Sequence, residues 1–245
     1  MRIVSLVPSW TEYLLELGVH VVGRTKFCVR PDDTVKHIEH IGGTKSVNPS
    51  KVAALKPDLI IANLEENDRE QVEACQTFCK VLLTDVRSVE SAWDESKRIA
   101  VAVGKREMGE LWVRRIQEAW GSARPLHSQA TYVVWKDPLM LAGSDTYISD
   151  VMRWWGIENI GGQWTSGRYP QPPTQEWMEA KADWILLPSE PFPFSEKHLS
   201  EFSANVATPF LVDGEAFSWY GSRMLHATEY FNSLIHTLQQ THLEN

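Results

Sequence analysis

The sequence predicts an α/β protein built as two parallel-sheet α/β lobes joined by one long rigid backbone helix. Three observations carry this. Short continuous apolar runs alternate with amphipathic segments through both halves of the chain, the pattern of strands buried on both faces of a parallel sheet. Two distant stretches, Lys51–Glu66 (KVAALKPDLIIANLEE) and Glu176–Pro191 (EWMEAKADWILLPSEP), align without gaps and share Lys56/Lys181, Asp58/Asp183, Ile60/Ile185 and Glu65/Glu190. Between the halves, Ser88 to Trp120 holds no proline and reads as amphipathic helix. The expected domains are therefore an N-terminal lobe over 1–87, a backbone helix within 88–123 and a C-terminal lobe over 124–245.

Each element has its own signal. Arg2–Val7 is a strand, and a helix follows with Ser9 as its cap, Glu12 three residues on, and Gly18 as its stop. Val21–Thr25 is the next strand. Asn48 or Ser50 opens a short helix that Pro57 closes, and Leu59–Ala62 is a strand. Glu70–Phe78 reads as helix and Val81–Thr84 as strand, completing a β-α-β-α-β-α-β order that implies parallel pairing. In Ser88–Trp120 the apolar residues Ala92, Ile99, Val103, Leu111 and Ile116 sit among charges, with Gly104 and Gly109 as possible kinks and Gly121 as the stop. The second lobe has strand Thr131–Trp135, a helix through Trp155 capped by Ser144 or Asp145 and closed by Gly156, and an irregular stretch, Gly161–Pro173. Helix Gln175–Ala180, strand Trp184–Leu187, helix Ser195–Phe202, strand Phe210–Val212 and helix Ser222–Leu238 follow.

Composition narrows the function classes. A net charge of −8 over 245 residues offers no basic face, which argues against nucleic-acid binding. No apolar run reaches the length of a membrane span. Met1-Arg2 leads straight into Ile3–Val7 with no leader pattern, so a cytoplasmic site of action and a leader removed from this chain both stay open. Cys28, Cys75 and Cys79 form no disulfide framework and read as buried thiols. The phosphate-cradle, zinc-protease and nucleophile-elbow motifs are missing, and the expectation is a protein that is not an enzyme, with no intrinsic cofactor and no resident metal. Cys28 with His37 and His40 is the one weak metal pattern, short of a fourth ligand.

Two residue sets point to a binding function. In open α/β sheets the carboxyl ends of strands face the ligand crevice. Eleven tryptophans are present, and several rings fall just past strand ends or in loops. Trp10, Trp135, Trp164, Tyr169, Trp219 and Tyr220 belong to this set, and rings so placed suit a wide apolar pocket. The second set is Glu65, Glu66 and Glu190, carboxylates at matching strand exits in the two halves. A carboxylate there is ordinarily explained by favourable interaction with the next helix N-terminus. A matched pair also suits a partner with two basic sockets.

The blocks RIVSLVPSWTEYLLELG–VVGRT, IGG–NPSKVAALKPDLIIA, LAGSDTYISDVMRWWGIENIGG and PTQEWMEAKADWILLPSEPFPF together resemble the cobalamin, haem and ferric-siderophore class of ABC-transporter substrate-binding proteins. The resemblance runs in order over nearly the whole chain. It implies a class III binding-protein fold and a ligand, cobalamin or a related corrinoid first and haem or a ferric siderophore next, held in the cleft between two lobes. It implies Trp10, Phe27, Cys28, Trp164 and Trp219 as ligand contacts, with Trp219 matching an aromatic that faces the corrin. It also implies delivery to a permease dimer by a periplasmic or extracytoplasmic monomer, with Glu65 or Glu66 and Glu190 docking on permease arginines. Asn63-Leu64 depart from the pattern, standing where corrin-binding members carry an aromatic. For an anionic siderophore, Arg24, Arg30, Lys45 and Arg168 are the candidate cations. A cytosolic protein handling corrinoids or metal chelates on the same scaffold, using Cys28 with His37 and His40, is the rival expectation.

Overall fold

The computed structural model describes residues 1–164, 167–203 and 206–244, with side chains to Thr241. Thr165 and Ser166, inside the irregular stretch expected over Gly161–Pro173, lie outside the described residues. The chain divides into two compact units. The first comprises 1–86, 90–119 and 219–226, and the second 87–89, 120–218 and 227–245.

In the first unit, β1 (Ile3–Ser5) is followed by α1 (Pro8–Glu16), β2 (Val21–Arg24), α2 (Asp32–Val35), β3 (Glu39–His40) and a small hairpin of β4 (Gly42–Gly43) with β5 (Ser46–Val47). Next come α3 (Pro49–Ala54), β6 (Leu59–Asn63), α4 (Arg69–Gln76) and β7 (Val81–Thr84). The sheet runs β3-β2-β1-β6-β7 with every pair parallel. Every residue of β1 and β6 is buried, as a strand covered on both faces must be. The helix caps are local chemistry. Asn48 and Asp68 accept from the backbone N–H of Lys51 and Gln71 at the starts of α3 and α4. The cap expected at Ser9 is absent, because Pro8 occupies the first helical position and the capping position falls two residues earlier, at Val7. Pro8 has no N–H to satisfy and its fixed φ already suits a helix.

The segment expected as one long helix is two, α5 (Val89–Ala102) and α6 (Arg106–Trp120). Gly104 adopts φ +71°, which ends α5 in the left-handed region. Gly109 lies inside α6, and a Cβ built there would sit 2.2 Å from the Ala100 Cβ. Its role is close packing between the two helices.

In the second unit, β8 (Ser128–Trp135), β9 (Met140–Leu141), α7 (Tyr147–Trp154), β10 (Ile157–Asn159), a 3₁₀ turn (Ile160–Gln163), α8 (Thr174–Met178), β11 (Trp184–Pro188), α9 (Glu196–Phe202), β12 (Thr208–Val212) and α10 (Gly214–Ser218) follow in order. The parallel sheet runs β10-β8-β11-β12, and β9 pairs antiparallel with β8. The cap of α7 is Thr146, one residue beyond the two expected, and its hydroxyl accepts from the Ser149 N–H. The final helix expected from the sequence divides into α11 (Arg223–His226), which belongs to the first unit, and α12 (Thr228–Glu244) in the second.

The echo between the halves has a structural meaning. Each unit places its opening strand, β1 or β8, between the next parallel strand in sequence, β2 or β10, and the echoed strand, β6 or β11. The shared aspartates do the same work at the entry of those strands. The Asp58 carboxylate accepts from the Arg2 N–H at 2.6 Å while the Asp58 N–H donates to the Arg2 carbonyl at 2.8 Å. Asp183 makes the matching pair with Gln129, at 2.7 and 2.9 Å. An apolar core packs under each sheet, around Val4, Leu6, Ile60 and Val72 in one and around Val133, Ile185, Leu187 and Phe202 in the other.

Candidate functional site

All strands of each main sheet but β9 point the same way, so their carboxyl ends share one edge. In each unit the opening strand has the next parallel strand, β2 or β10, on one side and the echoed strand on the other, the switch point at which ligands of open α/β sheets bind. The expected site residues of the first unit gather at that edge. Trp10 follows β1, Phe27 and Cys28 follow β2, and Glu65 and Glu66 follow β6.

Trp10 is fully buried, and its indole N–H donates to the Thr84 hydroxyl at 3.0 Å. Its ring lies 4.5 Å from that of Tyr220 between centroids. Phe27 is 50% exposed, with the Lys26 ammonium 4.8 Å from its ring centre. Cys28 is enclosed, with its sulfur 3.0 Å from the Thr11 hydroxyl and 3.2 Å from that of Thr25, and burial pushes its thiol above the usual range. A protonated, covered thiol is a packing group, so Cys28 supports the Phe27 loop from beneath. His37 and His40 are exposed, and they do not assemble with Cys28 into a common ligand set. The metal chemistry considered for that trio is therefore corrected, because the sulfur is turned into the core while both imidazoles stand outside it. Burial also raises the Cys75 thiol, to about 11, with Cys79 adding to the effect.

Asn63, expected from the resemblance to stand in place of an aromatic, has a side chain that organises the edge. It is buried, donates to the Thr84 hydroxyl at 3.1 Å, and accepts from the Glu65 and Glu66 N–H groups at 2.9 and 3.2 Å. Asn67 accepts from the Asn63 N–H and donates to the Leu6 and Thr44 carbonyls. One amide pair thus fixes the turn that presents both glutamates, and Thr84 links it to Trp10. The Lys45 ammonium donates to the Glu65 carbonyl, tying the β4–β5 hairpin to this turn.

In the second unit, Trp135 ends β8, is 40% exposed, and meets Phe192 edge-on at 5.4 Å. Trp164 and Phe192 pack against the same buried cluster, and Tyr169 is half-buried nearby in sequence. Glu190 follows β11 and accepts from the Ser218 hydroxyl at 3.2 Å. Gly214 lies so close to the Glu190 backbone that any Cβ there would clash at 2.7 Å. Trp219 and Tyr220 are buried and belong with the first unit.

The candidate siderophore cations are mostly engaged. Arg24 donates to the Val35 and Thr25 carbonyls, Arg168 to the Asp145 carbonyl, and Arg30 pairs with Asp32 at 3.6 Å. Lys26 is a cation at the edge that sequence reasoning missed. Its only sequence signal is adjacency to Phe27.

A periplasmic binding protein family model matches residues 3–205, and the chain belongs to that family. Among curated relatives, the vitamin B12-binding protein of Pectobacterium carotovorum is 23% identical over 239 residues, 93% of this chain and 86% of that one. The vitamin B12-binding protein of Salmonella paratyphi A is 25% identical over 177 residues, 70% of this chain, and the match spans 65% of that relative's length. Among solved structures, the periplasmic vitamin B12 binding protein BtuF of Vibrio cholerae superposes with a TM-score of 0.80 at 19% identity, covering 97% of each chain. The periplasmic heme-binding protein BhuT, solved with two hemes, gives 0.80 at 19% identity over 97% of this chain and 98% of that one. These likenesses establish the fold, and no helix among the described residues is long and apolar enough to cross a membrane.

Proposed function

We propose that this chain is the substrate-binding component of an ABC importer and carries a planar metal chelate, with cobalamin or a related corrinoid as the first candidate. The observation that carries this is the paired edge. In each unit the same strand edge presents an exposed ring, Phe27 or Trp135, together with a glutamate after the echoed strand, Glu65 or Glu190. Rings of this kind, with Trp164, Tyr169, Trp219 and Tyr220, would contact a macrocycle, while Glu65, Glu66 and Glu190 would meet basic groups on a permease dimer. The vitamin B12-binding relatives support the corrinoid. The work is capture and delivery by a monomer outside the cytoplasm, with no bond made or broken.

A second reading, haem or a ferric siderophore, is favoured by Lys26 beside the exposed Phe27 ring, since a cation at an aromatic face suits a ligand with anionic substituents. A tryptophan-fluorescence titration with cyanocobalamin, haemin and a ferric siderophore separates these. The expected result is cyanocobalamin binding tighter than about 10 μM, about 7 kcal/mol of binding free energy. Haemin binding alone, weakened by salt and by Lys26→Ala, selects the second reading. Failure of all three above that concentration sinks both.

A further inference from the structure

Outside the edge already described, a cluster of titratable side chains among the described residues lies between α1 and α11 of the first unit. Glu12 and Glu16 are one helical turn apart, and α11 lays Arg223 and His226 against them. The Glu12 side chain is 4% exposed and both its oxygens accept from the Arg223 guanidinium, one at 3.0 Å. The His226 Nε2 lies 3.0 Å from a Glu16 oxygen. Gly221, at φ +74°, lets the segment lie flat, with no room for a Cβ beyond 3.1 Å from Tyr13 and 3.2 Å from Trp10. Directly before it stand Trp219, whose ring is 5.6 Å from the Arg223 guanidinium carbon, and Tyr220, which packs on Trp10.

Glu12, Glu16 and His226 bring three ligand atoms within 4.8 Å of one another, the spacing of a divalent-cation site. Charge counting argues against that use. Arg223 already takes both Glu12 oxygens, and with His226 protonated the cluster holds two anions and two cations and is neutral. A divalent ion would displace the proton and leave an uncompensated positive charge beside a buried guanidinium.

We propose that Glu12, Glu16, Arg223 and His226 form a protonation-dependent latch, with Arg223 and His226 as positioning residues that seat the Trp219–Tyr220 pair against Trp10. The groups facing His226 are Glu16 and Glu12 from α1, Arg223 from α11, and from α6 the Trp112 ring at 6.2 Å, itself covered by Arg115. The hydrogen bond to Glu16 outweighs burial and holds the imidazole above its ordinary range. A raised histidine pKa means that the contribution is complete below about pH 6.5 and is lost as pH rises through the higher folded value.

The positioning role rests on the binding function proposed above, whereas the latch itself is measured without ligand. Hydrogen exchange reads it through the Met224 and Leu225 amides, which donate to the Gly221 and Ser222 carbonyls. Their protection, corrected for intrinsic rate, should fall by more than about twofold between about pH 6 and 8.5 in the wild type. It should be flat in His226→Gln, and Arg223→Lys should retain protection that Arg223→Met loses. Should Arg223→Met fail to fold, Glu12→Gln/Arg223→Met removes the pair without leaving a buried charge. A wild-type profile as flat as that of His226→Gln overturns the latch, and so does zinc at micromolar concentration raising protection above its value at pH 6. With the latch measured, cyanocobalamin or haemin affinity should follow the same pH profile. Affinity independent of pH overturns the positioning role, while absence of binding by every ligand tested indicts the binding function instead.

Discussion

At the scale of single residues, the most instructive pair is Asp58 and Asp183. Both are visible in the sequence as an unexplained identity between two distant segments, and both turn out to clasp the backbone at the start of the neighbouring strand through a carboxylate–amide bond and a reciprocal backbone bond. Hydrogen bonds to a charged group contribute about 1.5–3 kcal/mol. Asp58→Ala and Asp183→Ala should therefore each lower unfolding free energy by roughly 1–3 kcal/mol, read by urea denaturation. Equal wild-type stability for both would show that the echo has no role in folding. Asn63 gives the complementary lesson. The resemblance leads one to expect an aromatic at this place, but in the folded chain it is a buried amide holding Thr84 and the Glu65–Glu66 turn. Its partners Thr84 and Asn67 are recognisable only once β6 and β7 are paired. Cys28 resists a sequence reading for a similar reason, since nothing local announces that Thr11 and Thr25 enclose its sulfur.

At the scale of elements, buried parallel strands are legible because four or five consecutive apolar residues bounded by turn residues admit few other readings. Helix ends are less so. Pro8 and Ser9 both carry valid start signals, and proline at the first turn prevails. The short pieces β3, β4, β5 and β10 have two or three residues each and are made by their partners more than by their own propensity. In the segment between the two sheets, both glycines stand out, but spacing does not distinguish their roles. Gly104→Ala meets no atom within 4 Å and strains only a φ of +71°, so it should cost about 1 kcal/mol. Gly109→Ala drives a methyl into Ala100 and should cost more, roughly 1–3 kcal/mol. Ala100→Gly in the same chain should restore part of that stability. Thermal unfolding of the three variants checks the order, and Gly104→Ala proving the more damaging would show that the packing of α5 on α6 is loose.

At the scale of the whole molecule, two α/β units with parallel main sheets and the echoed strand beside the opening strand follow from the strand–helix rhythm and the echo. The assignment of 219–226 to the first unit does not, because Arg223 finds Glu12 across 211 residues of sequence and no local pattern encodes such a partner. The glutamates belong to this scale, since their proposed role concerns the protein and an external permease. Main-chain and glycine contacts contribute to their presentation. Backbone N–H groups of Glu65 and Glu66 are held by Asn63, and the Glu190 backbone is packed against Gly214. Replacing all three by alanine removes charge and the hydrogen bond from the Ser218 hydroxyl to Glu190, while the Glu65–Glu66 turn keeps the N–H bonds to Asn63. Charges at the rim of an interface act on encounter rate and orientation more than on the ligand inside. The triple variant should therefore bind ligand within about twofold of wild type, a free-energy change of about 0.4 kcal/mol, yet fail to deliver it to permease-containing vesicles. Raising salt from about 0.05 to 0.5 M should weaken wild-type delivery in the same direction, as screening shortens the reach of those carboxylates. Loss of ligand binding in parallel with delivery would move the glutamates from the docking surface to the ligand site, and unchanged delivery would remove them from both.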